Sequence, residues 1–372
     1  MDLERLGEGL ARRQIRRKAL FMGLLAVLLV ATVPGIPLLM GNVEPSLEKI
    51  LPQEVEEVRL MNEMRGKFGA DMSYLLVHAE RPAVDVRDHE VVEYVGLLSE
   101  RLRTNEYILE VQSLADVVKE VNGGVIPPSD REVEELIALH PQTPRYLNHD
   151  HSLSVIHLRT DTGADSGLID RVVEDTERAI DATQPSNPGV RVEMTGFNTI
   201  DKATFEVIID DFKLITGLSF LLMAVFLFLY FGSARKVVSS LSVIMASLLI
   251  TLGLTGYLGV TITVVTMVAA AMIMALGISY GINVTYDYYR LRRSLGRDKA
   301  LVSLNRGLIR ALVGSSLTTS AGFLALLFGV IPAMKNLGVV LAMGISVTLL
   351  VSVLFLPVIL LLTDKKKKVI ST

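Results

Sequence analysis

Six stretches of this 372-residue chain are too long and too apolar for water, and they are unevenly spaced. One lies at 19–40, and five more follow almost without linkers at 214–231, 237–257, 264–286, 311–331 and 337–362. Each is about long enough, as a helix, to cross ~30 Å of hydrocarbon. Lipid offers a backbone no hydrogen bonds, so such a run folds as a helix that satisfies itself. Between the first run and the other five lies a block, 41–212, with 34 acidic and 16 basic residues, a net of −18. The rest of the chain has 6 acidic and 21 basic residues, a net of +15. An acidic, water-exposed block is therefore set between membrane segments with basic flanks.

Charge also orients the spans, because short basic loops stay in the cytosol. Arg5, Arg12, Arg13, Arg16, Arg17 and Lys18 precede the first run. Arg235 and Lys236 follow the second. Arg290, Arg292, Arg293, Arg297, Lys299, Arg306 and Arg310 fill the stretch after the fourth, and four lysines at 365–368 follow the sixth. The loops at 256–260 and 331–336 carry only Lys335. This alternation predicts a multi-pass protein of the cell membrane with both termini cytosolic (1–18 and 364–372) and the acidic domain outside. The plainest role for the basic runs is to set topology and anchor to headgroups. The N-terminus is also patterned like a secretory signal, but its apolar run is ~20 residues long, enough to span. No small-x-small cleavage site is evident there, so 19–40 reads as a first span.

Within the acidic block, 45–68 is mostly helix-forming. The runs 72–79, 108–114, 153–158 and 190–194 read as strands. Val91, Val92, Val95, Leu98 and Leu102 mark a helix at 86–103, and Ile169, Val172, Val173 and Ile180 another at 168–182. A polar, helical insertion reaches Tyr146. The order strand, helix, strand, strand, helix, strand predicts, through right-handed crossovers, the split βαβ or ferredoxin-like arrangement. The fold class expected is thus an α-helical membrane protein with six transmembrane helices and an external α+β, porter-type domain.

One span carries a polar strip. In AMIMALGISYGINVTYDYYRLRRS, at 271–294, Ala271, Ala275, Ser279, Asn283 and Asp287 succeed each other at i+4. Each step drifts ~40° around a helix. The small end lets another helix approach, and the polar end must face protein or water. A polar strip in a span is a candidate functional site, with helix-to-helix packing as the alternative. In the fifth span Ser315, Ser316, Thr318, Thr319 and Ser320 form a hydroxyl-rich turn that Ser279 and Asn283 could meet. Such bonds average only ~0.6 kcal/mol in one well-studied membrane protein, so they would fix helices more than bind an ion. Sodium accepts oxygen ligands of this kind, but no carboxylate completes a site. Tyr280, Tyr286, Tyr288 and Tyr289 read as an interfacial belt, since the chain has no Trp.

Several stretches carry a resemblance. PSLEKILPQEVEEVRLMNEMRGKFG follows the first span, VEMTGFNTIDKATFEVIIDDFKLIT leads into the second, and LTTSAGFLALLFGVIPAMKNLGVVLAMG covers 317–344. Together they resemble the resistance-nodulation-division (RND) superfamily, in its MMPL-like, hydrophobe/amphiphile efflux family 3 branch. The resemblance covers nearly the whole chain. It implies a transporter or exporter of lipids or other hydrophobic or amphiphilic molecules. Members usually have two such halves. This chain has one and ends in a polar basic tail that reads as a natural terminus, so a homodimer is expected. The region 40–51 and a groove between the first and second spans are implied as substrate entry. The family's fourth span carries a Gly-x-x-x-Asp-Tyr pattern read as a proton relay. Aligned on Gly277, this chain has Gly281 and Ile282 there, and Asp287 lies six residues further on. The relay carboxylate is missing. The candidate substrate or coupling residues are therefore Ser279, Gly281, Asn283, Asp287, Ser315, Thr318 and Thr319.

Other classes find little support. With no Cys there is no disulfide or thiolate metal site. All six His lie in the acidic block, and His149 and His151 lack a nearby third ligand. No phosphate loop G-x-x-x-x-G-K-[ST], nucleophile elbow or paired catalytic carboxylates can be picked out, so no enzyme, no cofactor and no nucleic-acid partner is expected. The alternative to transport is an accessory role, either a protein-export helper resembling SecD and SecF or a lipid sensor without turnover.

Overall fold

A computed structural model describes residues 3–44, 51–52, 54–68, 71–80, 84–162 and 166–364. The chain divides into two compact units, Met1–Pro52 with Val207–Thr372, and Gln53–Glu206. It opens with α1 (Leu3–Arg16), α2 (Lys18–Thr32) and α3 (Gly35–Met40), the last two forming one span, Lys18–Met40. Residues 45–50 of the helix expected at 45–68, like the lysines at 365–368, lie outside the described residues.

The second unit runs α4 (Glu56–Phe68), β1 (Asp71–Ala79), α5 (His89–Leu102), β2 (Ile108–Gln112), α6 (Leu114–Val121), α7 (Asp130–Leu139), β3 (Leu153–Thr160), α8 (Ser166–Thr183) and β4 (Val190–Gly196). Its strands form one small antiparallel sheet in the order β2-β3-β1-β4. Leu75 of β1 faces Ile156 on one side and Met194 on the other. Strand periodicity puts Leu75 and Val77 with Ile156 and Leu158 on one face, where Tyr94, Val95 and Leu98 of α5 and Val172 of α8 cover them. Burying each such side chain favours the fold by about 1.5–3 kcal/mol. β2 stops at Gln112 rather than at 114 because the next residues start a helix. The Ser113 N–H donates to Asp116 Oδ2 at 2.9 Å in a capping box. Gly196 has φ +118, and a Cβ there would lie 2.7 Å from the Met72 carbonyl, so only glycine fits at the end of β4.

The remaining helices are α9 (Phe197–Phe231), α10 (Ala234–Tyr257), α11 (Ala269–Leu295), α12 (Arg297–Leu324), α13 (Pro332–Leu354) and α14 (Leu356–Thr363). A 3-10 turn extends α12 to Phe328. Among the described residues, six helices are long and apolar enough to cross a membrane. Several boundaries differ from expectation: the second span's helix starts at Phe197 rather than 214, the sixth span starts at Pro332 and breaks at Phe355, and two further differences have a visible cause. α11 starts at Ala269, not 264, because Thr263 and Thr266 close a turn in which the Thr263 N–H donates to Thr266 Oγ1 at 2.7 Å. The basic stretch 290–310 is not a loop: α11 continues to Leu295, Gly296 turns the chain at φ +75, and α12 begins at once. Leu301, Leu304, Asn305, Leu308 and Leu312 recur at helical spacing on its buried side.

Two close approaches tie the first span region to the bundle. Gly35 of α3 meets Gly253 and Gly256 of α10 backbone to backbone, so a Cβ at any of the three would strike the opposing chain. α1, a helix not foreseen in the basic N-terminus, lays Gly7, Ala11 and Gln14 on α12. A Cβ at Gly7 would lie 2.5 Å from the Asn305 carbonyl, and Arg306 pairs with Glu4 at 3.0 Å and Glu8 at 3.6 Å.

Candidate functional site in the membrane-spanning helices

α11 turns two different faces to its surroundings. Ile273, Met274, Gly277, Tyr280, Gly281, Val284, Thr285 and Tyr288 follow helical spacing and are buried. Ala275, Ser279 and Asn283 lie on the exposed side, with Ala271 and Asp287 half-buried beside them. Asp287 is held by Arg290 at 3.0 Å, one turn along the same helix. The strip foreseen from i+4 spacing is therefore an open face of the bundle.

The hydroxyls of α12 do not meet it. Thr318 and Thr319 each donate to the Ser315 carbonyl at 2.9 Å, satisfying themselves within their own turn. Ser315 and Thr318 are exposed, while Ser316 and Ser320 are buried. The expected bonds from Ser279 and Asn283 to these hydroxyls are not formed. Neither Ser279 nor Asn283 has a hydrogen-bond partner among the described residues. For Thr318 and Thr319 the reason is geometric: their hydroxyls reach an i−4 or i−3 carbonyl more easily than a neighbouring helix.

Gly281 sits on the buried face against α10. A Cβ there would lie 3.3 Å from Ser240 Cβ, and Ser240 Oγ bonds Thr285 Oγ1 at 2.9 Å and the Gly281 carbonyl at 3.3 Å. Gly277 similarly faces Thr348 of α13, with Cγ2 at 3.0 Å from a built Cβ. Where the resemblance places a carboxylate, this protein packs a hydroxyl pair and leaves no room without movement.

The small end of the strip has its own setting. Ala271, Ala275 and Ile278 line one wall of an apolar groove of 570 Å³, and Leu222, Met223 and Phe226 of α9 line the other. Its width comes from the alanines, and it can accept a hydrocarbon chain.

The arginine-rich end of the bundle holds groups that the sequence did not single out. Asp364, read as the start of a solvated tail, is buried at the end of α14. It pairs with Arg292 and accepts the Tyr288 hydroxyl at 3.2 Å. Arg297 donates to the Leu361 carbonyl, and Ser239 bonds Thr363 at 3.1 Å. Of the four tyrosines expected as a belt, Tyr280 and Tyr288 point into the bundle instead. Lys236 lies 5.0 Å above the Tyr289 ring. Nearby, Gln14 Nε2 donates to the carbonyls of Val353 at 2.9 Å and Leu354 at 3.0 Å, and Asn305 Nδ2 donates to Gln14 Oε1 at 2.8 Å. Pro357 explains this network: it has no N–H for the carbonyl four residues earlier, Val353, and a side chain from α1 takes its place. A proline four residues after an apolar carbonyl was the signal available in sequence.

Known proteins agree with a membrane assignment. The model of the MMPL family matches residues 51–371. MJ1562 of Methanocaldococcus jannaschii, named as a membrane protein, is 28% identical over 354 residues, 93% of this chain and 91% of that protein. MmpL4 of Mycobacterium leprae, named as a transport protein, is 27% identical over 193 residues, 50% of this chain and 20% of that protein.

Proposed function

The chain belongs to the MMPL family, and from that premise we propose that it is a membrane transporter that moves a lipid or another hydrophobic or amphiphilic molecule. The observation that carries this reading is the apolar groove between α9 and α11, open at the surface of the bundle, with Ala271 and Ala275 along one wall. A transport protein of Mycobacterium leprae among the relatives supports it.

In this reading the second unit is a ferredoxin-like, porter-type domain on the outer side, supported by its strand order β2-β3-β1-β4. Both termini are cytosolic, supported by the arginines and lysines at alternate ends of the spans. The working form is a homodimer. Asn283 and Ser279 are exposed on a membrane helix, without side-chain partners among the described residues, and a two-fold axis would bring one strip onto its copy. The substrate or coupling residues are Ser279, Asn283, Ser315, Thr318 and Thr319 on the open side, with Gly281 and Asp287 marking where the relay carboxylate is displaced. Movement runs without the family-type proton relay, a reading supported by Gly281 at the relay position with Ser240 packed beside it. That same packing favours, as a second reading, a lipid sensor without turnover.

Transport of a fluorescent lipid panel in proteoliposomes, with and without an imposed proton or sodium gradient, tests the proposal. Movement independent of either gradient is the expected result. Gradient-driven movement would refute the loss of coupling, and no movement by well-folded protein would favour the sensor or the export helper.

A further inference from the structure

We propose that the bend between α1 and α2 is a binding site for the phosphate headgroup of an anionic phospholipid. At Arg17 the backbone leaves the helix (φ −122, ψ 47) and the two helices meet at an angle. A cavity of 910 Å³ lies in the bend. Arg12, Arg13, Arg16 and Arg17 line it, and Leu20 and Phe21 form its apolar side.

Topology alone asks only that positive charge lie near the end of a span. It does not ask for the arrangement found here. Gly7, Ala11 and Gln14 fall on one side of α1 and are buried. At 100° per residue, Arg12, Arg13 and Arg16 fall on the opposite side. The buried side is fixed by the Gln14–Asn305 bond and by Gln14 capping the carbonyls of Val353 and Leu354. The basic side is thus held rigidly away from the bundle. Among the described residues, none of the four arginine side chains of the cavity has a hydrogen bond or an ion pair. Acidic Glu4 and Glu8 point elsewhere and are taken by Arg306.

The ligand chemistry follows from these groups. Guanidinium forks match phosphate oxygens two at a time. Four of them in one concavity favour an anion with several oxygens. Phe21 is packed into the bundle core and Leu20 is exposed beside it, at the first turn of a membrane span. A bound phosphate would therefore sit where apolar surface begins, which suits a headgroup with its acyl chains running along α2. The inference stands whether or not the protein transports anything.

Native mass spectrometry of the full-length protein released from detergent tests it, with phosphatidylglycerol and phosphatidylcholine as probes. We expect retention of phosphatidylglycerol over phosphatidylcholine. Arg13→Gln with Arg16→Gln weakens it about 30-fold, at roughly fivefold per charge near a lipid surface. Arg12→Gln with Arg17→Gln repeats the loss through the other half of the cavity. Arg293→Gln with Arg310→Gln removes the same charge elsewhere and leaves retention unchanged. An equal loss in that control would reduce the effect to diffuse attraction and overturn the site. Unchanged retention in both cavity variants, with unchanged melting temperature, would also overturn it. Inorganic phosphate distinguishes a soluble anion from a lipid: complete displacement of phosphatidylglycerol by millimolar phosphate would show that the acyl chains contribute nothing and would refute the lipid assignment.

Discussion

Two asparagines, one in α11 and one in α12, show opposite ways of keeping an amide in a membrane bundle. Asn305 is buried and completes a chain from Gln14 to the broken sixth span. Asn283 is exposed and has no partner among the described residues. Several threonines around them do not make this distinction, because a threonine hydroxyl can bond its own helix on either side. Thr251 and Thr255 do so inside the bundle, at 2.7 Å each, and Thr318 and Thr319 do so outside it. An amide cannot close on itself in the same way. Its surroundings therefore separate a polar group that holds the protomer together from one kept available.

The sharpest break in the closed side of this comparison is steric. Gly253→Val places a side chain into the backbone of α2 and α3, at a cost of ~3 kcal/mol or more. We expect loss of the monodisperse folded peak in size-exclusion chromatography. Survival of that peak with an unchanged melting temperature would mean that the first span docks differently. Asn305→Leu comes next. It leaves the Gln14 oxygen buried without its donor, a loss of about 1–3 kcal/mol. A lower melting temperature is expected, and in a double-mutant cycle with Gln14→Leu the two effects should not add. Additive losses would mean that the residues act separately.

Asn283→Leu tests the open side. The protomer should melt within ~0.5 kcal/mol of the original protein, as for a substitution outside the packed core. Its oligomeric state or its transport should change. A drop in stability as large as that of Asn305→Leu, with no change in either property, would erase the distinction.

A third kind of polar pair, wet but partnered, gives the smallest effect. His89 Nδ1 lies 2.7 Å from Asp130 Oδ1 in the second unit, and the same oxygen accepts the His89 N–H at 2.8 Å. The hydrogen bond to Asp130 raises the His89 pKa above its ordinary value. The contribution is therefore complete below the usual histidine range and is lost as pH rises through the elevated value. The backbone and side-chain bonds from His89 hold Asp130 below the carboxylate range, so its share is lost only in more acidic solution. Denaturation between mildly acidic and mildly alkaline pH should show a small decline that His89→Ala removes. An identical pH profile in the variant would show that the pair contributes nothing.

Much of this architecture was legible in sequence, and the omissions have physical causes. Runs of about 20 apolar residues cannot be hidden, so all six spans were visible. Period-2 and period-3.6 patterns located the four strands and the helices α5 and α8. Charged ends were harder. Arginines between 290 and 310 suggested a loop, yet Leu301, Leu304 and Leu308 carry a buried stripe through them. Asp364 stood before four lysines and looked solvated, although Tyr288 and Arg292 from another span enclose it. For the candidate site, i+4 spacing correctly grouped Ser279 and Asn283 on one face. Spacing within one helix says nothing about what lies across from it, and the meeting with Thr318 and Thr319 did not follow. Gly281 was visible as an absence, while Ser240, which occupies the space, is 41 residues away in sequence.

The bond from Gln14 to the sixth span also sets an order of events. Donor and acceptor are 339 residues apart, so α1 waits for the sixth span before its amide is satisfied. Until Val353 and Pro357 have been inserted, α1 is a basic helix with an unanchored amide. A chain stalled in the fifth span thus leaves the Gln14 amide without the carbonyls it donates to.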